Sequence, residues 1–169
     1  GVIEAVLQAR VAPEVAGRIV EVRVDAGTKV KAGDLLFVLD DTAVRQEVAA
    51  ARARLAQAEA NLAQARAEWE RAKNLFAQKF ISESRLDSAR TALDAAQAER
   101  NAAQAQLARA EAALAYTQVK APFDGIVAER YGNQGDMAQP GQPLLLLYQP
   151  GALRAVAQVP QEQIRALGQ

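Results

Sequence analysis

Two stretches of the chain carry large apolar residues at seven-residue spacing, with a second, mostly alanine series between them. This is the pattern of a coiled-coil seam, in which one stripe of each helix faces its partner. The large residues of the first stretch are Val48, Leu55, Leu62, Trp69 and Phe76, and its second series is Val44, Ala51, Ala58, Ala65 and Ala72. Those of the second stretch are Leu86, Leu93, Leu107 and Leu114, with Arg100 in the remaining slot, alongside Ala89, Ala96, Ala103 and Ala110. The pattern predicts two long helices of matching length.

The heptad register breaks between the two stretches, and the break predicts a turn with its tip at residues 77–83. Each helix then has about 35 residues and is about 50 Å long at 1.5 Å per residue. The two helices are expected to form an antiparallel hairpin. Either Ser82 or Ser84 can cap the second helix, because a serine oxygen accepts a hydrogen bond from a free helix N–H.

Charged residues occupy two notable places in this hairpin. Arg100 falls in the seam, and with a tip near residue 80 it lies level with Glu59, so an Arg100–Glu59 ion pair is expected. Asp40 and Asp41 form the only adjacent acidic pair in the sequence, where a strand meets the first helix. Helix capping explains this pair better than catalysis, since carboxylates stabilise helix N-termini.

The segments on either side of the hairpin are related to each other by an internal repeat. Glycines recur in both copies at spacings of ten and six, and each copy ends in an apolar run. The repeated glycines are Gly17, Gly27 and Gly33, and then Gly125, Gly135 and Gly141. Short strands with glycine turns are expected in both copies. Each copy is therefore predicted to be half of a small β-sandwich, which gives an α+β fold with the hairpin inserted between the halves.

Composition and charge remove several classes of function. The 169 residues include 20 basic and 20 acidic side chains, no His and no Cys. The sequence therefore has no thiol nucleophile, no Cys/His zinc site and no His-dependent triad. Neither nucleic-acid binding nor a phosphate-binding loop is indicated, and no metal or other cofactor is expected. The longest strongly apolar run, 144–148, is too short to span a bilayer. Because the chain starts at Gly1, it is interpreted as a fragment or processed form.

The two Gly-x9-Gly-x5-Gly copies, with Ala121-Pro122-Phe123-Asp124-Gly125 after a long alanine-rich hairpin, resemble the periplasmic adaptor, or membrane fusion protein (HlyD-like), family. The resemblance covers nearly the whole chain. It implies a discontinuous lipoyl-like (biotinyl-like) domain, an inserted hairpin and pieces of a β-barrel domain. The implied domains are 10–41 with 117–149 for the lipoyl-like sandwich, 42–116 for the hairpin, and 1–9 with 150–169 for the barrel.

The predicted tip contains Arg71, Leu75 and Ser82 at spacings similar to the Arg/Leu/Ser motif with which such adaptors meet a TolC-type outer-membrane channel. Leu75 precedes the seam residue Phe76, so it is expected to lie outside the core and to face outwards. The resemblance implies a non-catalytic adaptor in the periplasm of a Gram-negative bacterium, associated with the inner membrane through segments missing from this chain. The implied partners are the channel, an inner-membrane transporter and further copies of the adaptor in a ring. About five heptads per helix favour a transporter of the resistance-nodulation-division type, with an ABC-type exporter as an alternative.

Two other functions compete with this interpretation. The lipoyl-like fold also serves as a lipoyl or biotin carrier in enzyme complexes, but a carrier needs a lysine on the turn that joins the two half-sandwiches. Here the coiled coil replaces that turn, and residues 40–42 contain no lysine. A plain coiled-coil arm on some other assembly is the second alternative, and it leaves the double glycine repeat unexplained.

Overall fold

The computed structural model describes residues 7–150, which contain eight strands and two long helices. They divide into two compact units, a helical unit at 42–115 and a β unit made from the segments on both sides of it. The strands are β1 (Leu7–Val11), β2 (Gly17–Val22), β3 (Lys29–Val30), β4 (Leu35–Leu39), β5 (Gln118–Lys120), β6 (Gly125–Arg130), β7 (Met137–Ala138) and β8 (Leu145–Gln149). The helices are α1 (Thr42–Ala77) and α2 (Glu83–Tyr116).

The two helices form an antiparallel hairpin. Arg52 of α1 lies 3.7 Å from the carboxylate of Glu111 on α2. Further along α1, the ring of Trp69 lies 5.8 Å from the guanidinium carbon of Arg90. A higher residue number on α1 therefore contacts a lower residue number on α2, so the two helices run in opposite directions. The predicted two-helix hairpin is confirmed.

The hairpin packs along the predicted seam, with alanine as its commonest buried residue. Its buried side chains all belong to the two heptad series: Val48, Ala51, Ala58, Leu62, Ala72, Ala96 and Ala103. Small residues opposite large ones let two helices approach closely, and they lose little side-chain entropy on packing.

The expected ion pair of Arg100 does not form. Arg100 is half-buried, and its Nη1 lies 3.5 Å from Oδ1 of its neighbour Asn101. Glu59 lines the same groove as Arg100, but among the described residues no salt bridge joins the two. Glu59 is exposed to solvent, where an ion pair contributes little and the carboxylate keeps its hydration.

The β unit consists of two four-stranded antiparallel sheets, ordered β1-β8-β6-β3 and β5-β4-β2-β7. Each sheet takes two strands from the segment before the hairpin and two from the segment after it. The predicted α+β fold is confirmed. Seven of its core side chains have less than 2% of their surface exposed: Phe37, Ile19, Leu36, Leu39, Leu145, Leu147 and Val127.

The two copies of the repeat follow each other at a constant offset of 108 residues, and their hydrogen bonds are equivalent. Gly27 donates its N–H to the carbonyl of Val127, and Gly135 donates to the carbonyl of Ile19, both at 2.8 Å. Each acceptor is the counterpart of the other at the same offset. The four glycines at the tight turns, Gly27, Gly33, Gly135 and Gly141, have φ between 79° and 93°, a region that favours glycine.

The amino-terminal boundary differs from the expected one. Leu7 to Ala9, assigned above to the barrel, are the first residues of β1 and pair with Gln149 to Leu147 of β8. Of the other residues expected in the barrel, 1–6 and 151–169 lie outside the described residues. Within residues 7–150, neither helix has a stretch apolar enough to cross a membrane.

Candidate partner-binding tip of the hairpin

The end of α1 is shaped by a left-handed residue. Lys79 has a φ of 63°, which costs a residue with a side chain about 1–2 kcal/mol. Its N–H donates to the carbonyl of Phe76 at 2.9 Å, and the N–H of Phe80 donates to the carbonyl of Leu75 at 2.8 Å. This pair of bonds is the Schellman arrangement that satisfies the last carbonyls of a helix. It therefore fixes the backbone at the start of the turn.

The start of α2 is fixed by Ser82. The N–H of Arg85 donates to Ser82 Oγ at 3.2 Å, and the N–H of Leu86 donates to the Ser82 carbonyl, also at 3.2 Å. Ser82 is thus the N-cap, which decides between the two serines considered above. With both helix ends bonded, the five connecting residues 78–82 form a short, well-defined turn.

Two phenylalanines are exposed at this tip. The side chain of Phe80 is 70% exposed, the largest value among the exposed large apolar residues of the described chain, and Phe76 is 39% exposed. In a Schellman motif the residue at the position of Phe80 often packs against the one at the position of Leu75. Here most of the Phe80 ring stays in solvent, so the turn presents apolar surface.

The three residues of the predicted motif lie around this turn, but their orientations differ in part from expectation. Arg71 and Ser82 are exposed, and Leu75 is half-buried. The expectation that Phe76 packs in the seam while Leu75 faces outwards is therefore wrong for Phe76 and only partly right for Leu75. Phe76 is one residue from the end of α1, and α2 begins at Glu83, so Phe76 lies at the end of the seam.

Two residues before Arg71, an aromatic residue of α1 contacts α2. Trp69 is half-buried and has Lys73 Nζ 5.5 Å and the Arg90 guanidinium carbon 5.8 Å from its ring centroid. Cations over an indole face are attracted by the ring quadrupole. Lys73 also contacts the Glu70 carboxylate at 3.0 Å, so its charge is partly neutralised. Of these contacts, the one between Arg90 and Trp69 joins α2 to α1 near the tip.

The sequence did not identify Phe80 as a site residue. Its signal is nevertheless present, because Phe80 lies in the register break and outside both heptad series. An aromatic residue in a short turn has few neighbours that could bury it. Phe76 could not be recognised from the heptad pattern alone, since the pattern does not show where the partner helix begins.

The β unit contains a second polar cluster, which is structural in character. Arg130 donates to the Gly132 carbonyl at 2.7 Å and to Asn133 Oδ1 at 2.8 Å, and its Nε lies 3.2 Å from Asp25 Oδ1. The N–H of Ala26 and the Arg130 guanidinium hold the pKa of the Asp25 carboxyl below its ordinary value. Arg130 thus ties the turn after β6 to the turn before β3.

The described residues contain neither a cluster arranged to bind a metal ion nor a lysine at the position that a carrier uses. Across 7–150, no group of three or more Asp, Glu, His or Cys side chains is arranged to hold a metal ion. The segment from Asp40 to Thr42, which joins β4 to α1, is where a carrier would present its lysine, and it has none.

Comparisons of the sequence and of the fold with known proteins point to the same class of protein. Residues 47–117 match the family model described as "RND MFP, alpha-helical hairpin domain". The efflux pump periplasmic linker BepD of Brucella suis biovar 1 (strain 1330) is 38% identical over 135 residues, covering 80% of this chain and 34% of BepD. YdhJ of Escherichia coli (strain K12) is 37% identical over 140 residues, covering 83% of this chain and 49% of YdhJ. The crystal structure of ZneB from Cupriavidus metallidurans is 26% identical with a TM-score of 0.60, covering 84% of this chain and 60% of ZneB.

Sequence and fold similarity therefore agree with the architecture described above, a helical hairpin inserted between two halves of a β-sandwich. The chain belongs to the membrane fusion protein, or periplasmic adaptor, family. The family predicted from the glycine repeat and the hairpin is confirmed. The chain spans between 28% and 49% of the length of the curated relatives it matches.

Proposed function

We propose that this chain is part of a non-catalytic adaptor that links an inner-membrane efflux transporter to a TolC-type outer-membrane channel. The tip of the hairpin, with Arg71, Leu75 and Ser82, docks on the channel. The protein works in the periplasm of a Gram-negative bacterium as a ring of several copies, and it serves drug or solute efflux. The transporter is of the resistance-nodulation-division type.

The observation that carries this proposal is the exposed tip. Both helix ends are capped by hydrogen bonds, so the five-residue turn needs no further partner to be formed. It nonetheless leaves Phe80 in solvent, and a large apolar group held in water at a rigid position is typical of a protein-binding surface. Arg71, exposed two turns before the end of α1, adds a planar group of donors that can bind carboxylates or carbonyls.

Support for the type of transporter comes from the hairpin. The matched family model describes the hairpin of RND membrane fusion proteins, and it covers nearly all of α1 and α2. BepD and BepF, both named efflux pump periplasmic linkers, share more than a third of their aligned residues with this chain.

The test is site-specific crosslinking from the tip. The chain has no Cys, so one introduced thiol is a unique attachment point. Gln78→Cys is suitable because Gln78 is exposed in the turn and its replacement leaves the Ser82 cap intact. A cleavable crosslinker at this position, applied to a solubilised envelope of the source bacterium, is expected to capture a TolC-type channel. Capture should be lost in the Arg71→Asp and Leu75→Ser backgrounds.

Two controls separate docking from folding. Arg71→Asp changes an exposed side chain, so helicity and melting temperature should stay nearly unchanged while efflux is lost. Ser82→Asp keeps an N-cap oxygen, so it should preserve the helix end and test whether docking needs the hydroxyl itself. If the channel is captured equally well from a cysteine placed at exposed Gln104, in the half of α2 far from the tip, the tip is not the docking site. Co-capture of an ABC-type exporter would replace the transporter assignment.

A further inference from the structure

We infer that Phe80, supported by Phe76, is the apolar anchor of the tip, and that it enters an apolar recess bordered by carboxylates on the channel. This inference rests on the proposed function and assigns the partner's surface chemistry. Arg71, Leu75 and Ser82 were singled out by their spacing. Phe80 is singled out by its exposure and by the way its backbone is held.

The backbone holds Phe80 in place before any partner arrives. Its N–H bonds to the Leu75 carbonyl, and the preceding residue, Lys79, adopts the left-handed conformation that the turn requires. Two residues later the Ser82 cap fixes the start of α2. With this backbone fixed, only the two side-chain torsions of Phe80 remain to be ordered on binding, so the entropy cost of docking the ring is small.

The charge around Phe80 indicates which charge the partner carries around the recess. Residues 71–85 contain four basic side chains, Arg71, Lys73, Lys79 and Arg85, and one acidic side chain, Glu83. Lys73 is paired with Glu70, which leaves three cations against one carboxylate. The positive dipole end of α2 is offset at the tip by the negative dipole end of α1, so the excess charge comes from the side chains. The whole chain has no net charge, so this local excess favours an acidic partner surface.

A protein surface fits this tip better than a lipid surface does. Helices that bind membranes present a continuous apolar face beside a strongly basic one. Here the apolar stripes of α1 and α2 face each other, and the exposed apolar surface at the tip comes from Phe76 and Phe80. Two aromatic rings at a hairpin end match the size of one interface hot spot.

The experiment measures the affinity of the purified chain for a purified TolC-type channel of the source bacterium, held in detergent. Phe80→Ser is expected to raise Kd by at least about tenfold, as loss of an interface anchor does. Phe80→Leu keeps an apolar side chain and should stay within about threefold of the unaltered chain. The matched control is Met137→Ser, which removes a 56% exposed apolar side chain from the β unit and should leave Kd unchanged.

Charge is tested in the same assay. Lys79→Glu should weaken binding in dilute buffer, and the difference should disappear near 1 M salt, where the screening length is about 3 Å. A Phe80→Ser affinity within twofold of the unaltered chain, with binding lost in Arg71→Asp, would overturn the anchor and leave the proposed function standing. If the unaltered chain does not bind the channel, the proposed function fails first, and the assignment of the recess fails with it.

Two further measurements identify a different occupant. In sedimentation, a change of self-association in Phe80→Ser would assign the tip to contacts between copies of the chain. In flotation with vesicles containing anionic lipid, binding that is lost in Phe80→Ser would assign it to a membrane. Either result contradicts the inference.

Discussion

Replacing Gly125 by alanine is expected to disrupt the central strand pair of one sheet, β6 and β8, whereas the same change at its repeat counterpart, Gly17, is not expected to disrupt the sandwich. A methyl group at Gly125 would overlap the backbone carbonyl oxygen of Tyr148 in β8 and lie 3.1 Å from its carbonyl carbon. At Gly17, the nearest atom would be Leu39 Cβ at 3.3 Å, a side-chain atom that can shift by a few tenths of an ångström.

The size of the effect follows from what must move. Tyr148 lies in β8, which pairs with β1 on one side and β6 on the other, so its carbonyl cannot retreat without straining both ladders. Losing one or two backbone hydrogen bonds, with a buried group left unpaired, costs about 2–4 kcal/mol. Restricting the unfolded chain by Gly→Ala returns about 0.4–1 kcal/mol. The net loss for Gly125→Ala is therefore about 2–3 kcal/mol, and Gly17→Ala should stay within about 1 kcal/mol of the unaltered chain.

The chain offers separate reporters for its two units. Its single tryptophan, Trp69, lies in the hairpin, and its three tyrosines, Tyr116, Tyr131 and Tyr148, lie in the β unit. Near-ultraviolet circular dichroism of the tyrosines should show a melting point lowered by about 10–20 °C in Gly125→Ala. Trp69 fluorescence reports the hairpin in the same sample. The steric reasoning is refuted if the two glycine variants have the same β-unit stability within about 0.5 kcal/mol.

Two other predictions concern the seam and the charged cluster. Leu62→Asp places a carboxylate at a position that is 8% exposed, so the hairpin should unfold at room temperature, and a normal melting curve from circular dichroism would contradict the packed seam. Leu62→Met is its control, because it keeps an apolar side chain of similar volume. Asp25 has a lowered carboxyl pKa, so its contribution to stability is present above the ordinary value of 3.8 and is lost as the pH falls through the folded value. Asp25→Asn should therefore lower the urea midpoint at pH 7 but converge with the unaltered chain in strong acid; an equal difference at both pH values would show that the Arg130 contact does not depend on this charge.

Much of the architecture could be predicted from the sequence because it depends on periodic patterns. The heptads identified the hairpin, and the glycine spacing identified two related halves, since a left-handed turn residue leaves a visible glycine. Local chemistry limited the cap of α2 to Ser82 or Ser84, and the hydrogen bond from Arg85 selects Ser82. Features that depend on where the partner helix begins or ends were harder to predict, and the exposure of Phe76 is the clearest example.

Side-chain pairing along the hairpin and the backbone of its turn were harder to predict. Arg100 was expected to find Glu59, because the two are level in the hairpin, but proximity does not make two hydrated charges pair. The left-handed conformation of Lys79 carries no glycine or asparagine signal. The Schellman hydrogen bonds to the Phe76 and Leu75 carbonyls hold it, and no residue type at position 79 announces them.

Each sheet contains strands from both sides of the hairpin, so the entropy cost of folding the sandwich depends on whether the hairpin is folded. Sandwich formation closes a loop of 74 residues, 42–115, and the length-dependent part of that closure costs roughly 4 kcal/mol when the loop is a flexible chain. A folded antiparallel hairpin returns its ends to each other and removes most of this cost. The hairpin thus stabilises the sandwich through chain connectivity, whatever its length. A longer or shorter hairpin would lower the closure cost equally well, so the length of the hairpin can change during evolution without altering the β core.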